Sequence, residues 1–261
     1  MKSHLKVILF VCDERFPYKE EVTGSNPIAP KRVFQKSTLE KNKRHHSLSN
    51  NYFYMQFDSI FVIIIVMFDD YKKIVPELSR RLTLHHSLYS NPCNATLWEE
   101  HCAKSLIACG FGSDWQATNS HQQGVDQVTD SGLRISNKGG KITEDLSKLN
   151  ISGFRTTQYK TIEEKLDFLS LSHEDVIFSL ATHSNFDFRK PKYYFIAIDS
   201  NKLNYHEQKW EDNTGRTGNH MGWKCRANHF NAQIQISMSH QLWTNINSEL
   251  FEFIIPIDVK I

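Results

Sequence analysis

The sequence predicts an α/β domain in which a mixed central β-sheet is flanked by helices. Three observations carry that expectation. Two stretches combine helical apolar spacing with start signals. Several others show the alternation or continuous apolarity of strands. The two kinds are interleaved along the chain instead of segregated. With 261 residues, 39% of them hydrophobic and 12% aromatic, the chain is long and apolar enough to build a core, and it is not compositionally disordered.

Residues 1–54 do not share this patterning. They read as an atypical extension, with "PYKEEVTGSNPIAPKR" and "KNKRHHSLSNN" and little sustained periodicity. Gly24-Ser25-Asn26-Pro27 can be encoded by GGTTCAAATCC, the kind of sequence found in the T-arm of a transfer-RNA gene, so two expectations stand: that the functional protein starts at Met55 or Met67, or that residues 1–54 are a genuine flexible basic extension. The run Ile60–Phe68, "IFVIIIVMF", is nine residues long. A spanning helix needs about twenty, so a buried strand is expected and no membrane span.

From there the elements follow in order. "FDDYKKIVPELSRRLTLHHSL" (68–88) reads as helical material interrupted at Pro76. In "NPCNATLWEEHCAKSLIACGFG" (91–112), Thr96 and Glu99 have the spacing of a capping box and Gly110 that of a helix stop. Trp98, Cys102, Leu106 and Cys109 then share one face, with Glu99 at its edge and Glu100 nearly opposite. Asp126–Val128 and Leu133–Ser136 alternate as two short strands around the turn "TDSG". "TIEEKLDFLSL" is a second capped helix, with Thr161 and Glu164 as its capping box. Strands are expected at 175–181, 192–200, "NAQIQISMS" and "LFEFIIPIDV".

Five scattered cysteines without a CxxC pair make a poor disulfide framework and point to a reducing, cytoplasmic setting. A formal net charge of +2 permits a nucleic-acid partner without requiring one. His101, Cys102 and Cys109 lack zinc-site spacing. No G-x-S-x-G elbow, P-loop or dinucleotide fingerprint is present, which speaks against a serine hydrolase, a nucleotide-driven motor and a dehydrogenase.

The chemistry-bearing stretch is "GVDQVTDSGLRISNKGGK" (124–141). With Asp130-Ser131-Gly132 as the loop, Asp126 lies opposite Ser136, and Lys138 shares the face of Ser136 because strand side chains alternate. A carboxylate that holds a hard divalent cation, next to an ammonium group, suits phosphodiester hydrolysis.

Helix with Glu, strand with Asp, turn, then a strand ending in x-x-Lys resembles the PD-(D/E)xK nuclease superfamily over roughly residues 95–180. The resemblance implies a restriction endonuclease-like fold and a Mg²⁺-dependent, sequence-specific DNA endonuclease of type II. The catalytic core would span about 95–200, and a DNA-contacting part about 200–261. Asp126 would be the metal-binding aspartate and Lys138 the catalytic lysine, with Glu99 or Glu100 completing the metal shell and Ser136 in support. The sequence departs from the pattern at Ser136, where the family has its second acid, and lacks the proline before the aspartate. That departure leaves open an inactive nucleic-acid-binding protein on the same scaffold, as well as a repair or mobile-element nuclease. Arg155 and Thr156 in "SGFRTT", and Arg216, Asn219, Lys224 and Arg226 in "NTGRTGNHMGWKCR", are read as loop residues placed to contact DNA. Trp210, Trp223 and Trp243 could form a stacking platform. A homodimer is expected for a palindromic site, with a cognate methyltransferase encoded nearby.

Overall fold

In a computed structural model of the chain, the residues described are 68–115, 124–171 and 174–260. The chain divides into Met1–Ser47 and Leu48–Ile261, and every described residue lies in the second unit. The expected strand at 60–68 falls outside these residues except for Phe68, which is helical and buried.

The domain is mixed α/β. A 3-10 turn at Tyr71–Ile74 leads into helix α1 (Val75–Leu88), and Pro76 sits in the first turn of α1 instead of interrupting a longer helix. Proline is suited to that place, since its missing N–H is one that the first turn leaves unpaired anyway. Helix α2 (Ala95–Ala108) is capped by Asn94, whose side chain accepts from Leu97 N at 3.0 Å. Thr96 therefore lies inside the helix, and the expected Thr96–Glu99 capping box is not formed. Gly110 follows the helix at φ +81°, the left-handed conformation that suits glycine at a helix end. Helix α3 (Ile162–Ser170) has the capping box read from its sequence, Thr161 with Glu164.

Among the described residues, ten strands form one sheet. They are β1 (Gln127–Val128), β2 (Arg134–Ile142), β3 (Lys148–Arg155), β4 (Val176–His183), β5 (Lys192–Asp199), β6 (Trp210–Thr214), β7 (His220–Arg226), β8 (Phe230–Gln235), β9 (Gln241–Asn247) and β10 (Phe251–Asp258). Their order is β10-β5-β4-β2-β3-β9-β8-β7-β6, and β1 also pairs with β2. The β2–β4 pair is parallel and the others are antiparallel. Four of these strands were not anticipated from the sequence. "SGFRTT" belongs largely to β3, "NTGRTGNHMGWKCR" forms a hairpin of β6 and β7, and "QLWTNIN" is β9. Glycine and polar residues disguised them, because only one face of each strand is apolar.

Two apolar clusters lie on opposite faces of the sheet. On one, Trp98, Cys102 and Leu106 of α2 and Leu78 and Leu82 of α1 pack with Ile135, Val176, Phe178, Phe195 and Phe253. On the other, Leu169 of α3 and the turn residues Leu203 and Tyr205 pack with Ile151, Ile177, Ile196, Ile234, Leu242 and Ile246. No described helix is long and apolar enough to cross a membrane.

Two predictions follow from this packing. At Gly222 (φ +126°) an added Cβ would collide with the carbonyl oxygen of Ile234 on the adjacent strand. Gly222→Ala is expected to destabilise the domain by more than about 2 kcal/mol, measured as a shift in the urea midpoint. At the α1–α2 contact, His101 has its pKa lowered to about 4, chiefly by burial and then by neighbouring His85 and Arg81. The unfolded chain takes up this proton near the ordinary histidine value and the native state does not until about pH 4, so stability falls as pH drops across that window. The thermal midpoint of the wild type should fall more between pH 7 and pH 4.5 than that of His101→Gln.

Candidate functional site

Strand β2 organises the site through an uneven set of neighbours. Along one edge it pairs with β4 continuously from Ile135 to Ile142. Along the other it pairs with β1 at Arg134–Ile135 and with β3 only at Gly140–Ile142. Beyond Ile151, β3 leaves β2 and follows β9 alone, with a register irregularity between Ser152 and Arg155. Residues 136–139 of β2 thus face a notch between β1 and β3.

Asp126 fills the notch. Its carboxylate oxygen Oδ2 accepts the Asn137 backbone N–H at 2.5 Å, a donor that an adjacent strand would otherwise have satisfied. The same oxygen accepts from Ser136 Oγ at 3.4 Å and lies 3.5 Å from Lys138 Nζ. The aspartate side chain is 8% exposed and the lysine side chain 20%, so the pair is largely screened from water. The register extends as the sequence implies. Gln127 opposes Ile135, which sets Asp126 against Ser136 and puts Ser136 and Lys138 on one face. All three donors address Oδ2, and Oδ1 receives no hydrogen bond from the described residues.

Lys138 also lines a cavity of about 130 Å³ on the α3 face of the sheet, together with Gly153 and Phe154 of the diverging strand, Glu174, Asn201 and His206. Ser179, directly across from Lys138 on β4, carries a buried hydroxyl with no hydrogen-bond partner among the described residues. Glu174, 7% exposed, was not anticipated from the sequence. Its carboxylate approaches Gly124, two residues before Asp126, so closely that a Cβ there would sit 2.8 Å from Oε2. The available signal was its place, an acid just ahead of a strand that runs parallel to the lysine strand. The neighbouring Asp175 fixes that entry by binding the Arg134 guanidinium (2.5 and 3.1 Å) and the Arg134 backbone N–H (2.9 Å).

The helical acids are placed differently. Helix α2 reaches the hairpin through Cys102 Sγ, which accepts from Gln127 Nε2 at 3.2 Å. Burial, and to a smaller extent the charge of Asp126, hold that thiol's pKa well above the ordinary cysteine value. Glu99 lies one turn earlier on α2. The Glu100 carboxylate is held by the Lys104 ammonium, chiefly a hydrogen bond that keeps its pKa below the usual range. Among the described residues, no group of three or more His, Cys, Asp or Glu side chains is arranged to hold a metal ion.

The expected DNA contacts also separate. Thr156 is fully buried, and both its N–H and its hydroxyl donate to His240 O, at 3.2 and 3.0 Å. It is occupied as a tether and not available to a phosphate. Arg155 is exposed and donates from Nε to Gln241 Oε1 at 3.1 Å. Arg216 and Asn219 are exposed in the β6–β7 turn, whereas Lys224 and Arg226 stand on β7 itself. Trp210 and Trp223 pack against the α3-side core, so the three tryptophans do not form one platform.

Against this arrangement, no protein-family model, curated protein or solved structure matches the chain.

Proposed function

We propose that the chain is a divalent-metal-dependent DNA endonuclease of the PD-(D/E)xK kind, cutting phosphodiester bonds at the Asp126–Lys138 notch. The observation that carries this reading is the 3.5 Å approach of Lys138 Nζ to a largely buried Asp126 carboxylate where β2 lacks a neighbour, with Lys138 also lining a cavity that mixes polar and apolar side chains. A structural ion pair does not need the cavity. The restriction endonuclease-like fold, the homodimer and a partner methyltransferase belong to the same proposal.

The residues fit a hard cation in part. Asp126 Oδ1 takes no hydrogen bond from the described residues, and Glu174, which lines the same cavity as Lys138, is the acid offered for the part that the family pattern gives to residue 136. Mg²⁺ bound there would act as a Lewis acid and lower the pKa of a coordinated water. Asn137 N–H and Ser136 Oγ hold the aspartate in one orientation. Lys138 orients the attacking water or stabilises charge on the phosphoryl oxygens. Glu99 remains the helical candidate, and Glu100 is engaged elsewhere.

A second reading is favoured by one observation. Ser136 stands in the acid's place, which suits a nucleic-acid-binding protein that does not cut.

Plasmid cleavage separates the two. Supercoiled DNA should be nicked or linearised with Mg²⁺ and left intact with EDTA. Asp126→Ala and Lys138→Ala should each lower the rate by about 100-fold or more, and Glu174→Gln by at least tenfold while the thermal midpoint is retained. Cleavage at the wild-type rate by Asp126→Ala would end the assignment, and binding without cleavage under any divalent ion would establish the second reading.

A further inference from the structure

Strands β3, β9, β8 and β7 are apolar on one face and polar on the other. Leu149, Ile151, Leu242, Ile246, Ala232, Ile234 and Cys225 enter the α3-side core. The opposite face receives no extended packing from any described helix, since α1 and α2 lie on β10 and β2. An antiparallel sheet with one wet face is ordinary. What is not ordinary is which polar residues are there.

The cross-strand register aligns them in rows. One row runs from Lys141 through Asn150, Asn245 and Asn231 to Arg226, a cation at each end and three amides between. The next runs from Ser152 through Trp243 and Gln233 to Lys224. No carboxylate stands on this face of β3, β9, β8 or β7; the first is Glu211 on the edge strand β6. A solvated face commonly mixes both signs, whereas the charged side chains that these four strands place here are all cations. Within it, Lys224, Arg226, Asn231, Gln233 and Asn245 line a hollow of about 520 Å³. Trp243, half-buried, is the aromatic side chain in these rows and stands opposite Gln233, next to that hollow.

We propose that this face binds single-stranded nucleic acid, with the strand lying across β3, β9, β8 and β7. The cations meet backbone phosphates, Trp243 stacks on one base, and the amides pair with exposed base edges. Charge selects a polyanion, and shape selects the single strand. Base edges of a duplex lie about 8.5 Å deep in the major groove, out of reach of short asparagine side chains on a broad sheet. An unpaired strand lays its bases on the surface. This function lies beyond the Asp126–Lys138 reading and does not depend on it, because that pair faces the other side of the sheet.

The test uses the full chain carrying Asp126→Ala, in EDTA so that cleavage cannot intrude, and a fluorescein-labelled mixed-sequence DNA single strand read by anisotropy. Replacing Lys224 and Arg226 together with Ala should lower the slope of log affinity against log salt by about 1.4, two phosphate contacts at about 0.7 each. Trp243→Ala should weaken binding by about 5- to 140-fold, and Trp243→Phe, which keeps a stacking ring and guards against a folding defect, should restore most of it. Unchanged affinity and slope in these variants would overturn the proposal. So would competition by the matching blunt duplex as effective as that by the unlabelled single strand.

Discussion

The arrangement depends on one constraint: β2 keeps a single partner along one edge and has to change partners along the other. The parallel pairing with β4 is continuous and is anchored at its start by Asp175, which grips both the guanidinium and the backbone of Arg134. On the far edge, β1 ends before β3 begins to pair. A backbone N–H left at such a gap is costly unless something accepts it, and the Asp126 carboxylate is what accepts it. The aspartate therefore has a structural reason to be where it is, and that same reason brings it to Lys138.

The gap also explains the cavity. As β3 departs from β2 toward β9, it carries Gly153 and Phe154 away from Lys138, and α3 with the following turns closes over the space without filling it. A glycine at 153, where an added Cβ would press on Leu242, lets β3 and β9 stay close while β3 and β2 separate. Backbone geometry, packing and a candidate site for chemistry thus share one origin.

The parts of the fold legible in the sequence were those whose signals are local. The Thr161–Glu164 capping box, the turn at 129–132 and the continuously apolar β4 and β5 can be read without knowing their partners. The Asp126–Ser136 register was legible for the same reason, since a short turn fixes it. The parts that were not legible depend on what packs where. Asn94 caps α2 in place of Thr96 because the chain enters the helix two residues earlier than the capping-box pattern implies. Strands β7 and β9 escaped notice because amides and cations alternate with their apolar residues, on a face with no described helix against it. Glu174 could not be singled out, because its approach to Gly124 joins residues fifty positions apart. Thr156 looked like a phosphate contact because a hydroxyl in a polar stretch reads the same whether it faces solvent or a buried carbonyl.

Beside that threonine lies Lys165, fully buried on α3, with its ammonium donating to the carbonyls of Thr156 and Tyr159 and resting 5.4 Å from the Trp223 ring centre. Burial lowers its pKa. An amine reagent applied to the native protein meets the surface lysines first and reaches this one only when α3 lifts from the strand ends. The chain thereby carries an internal gauge of its own breathing, readable as the lag between acylation of Lys165 and acylation of its exposed neighbour Lys160.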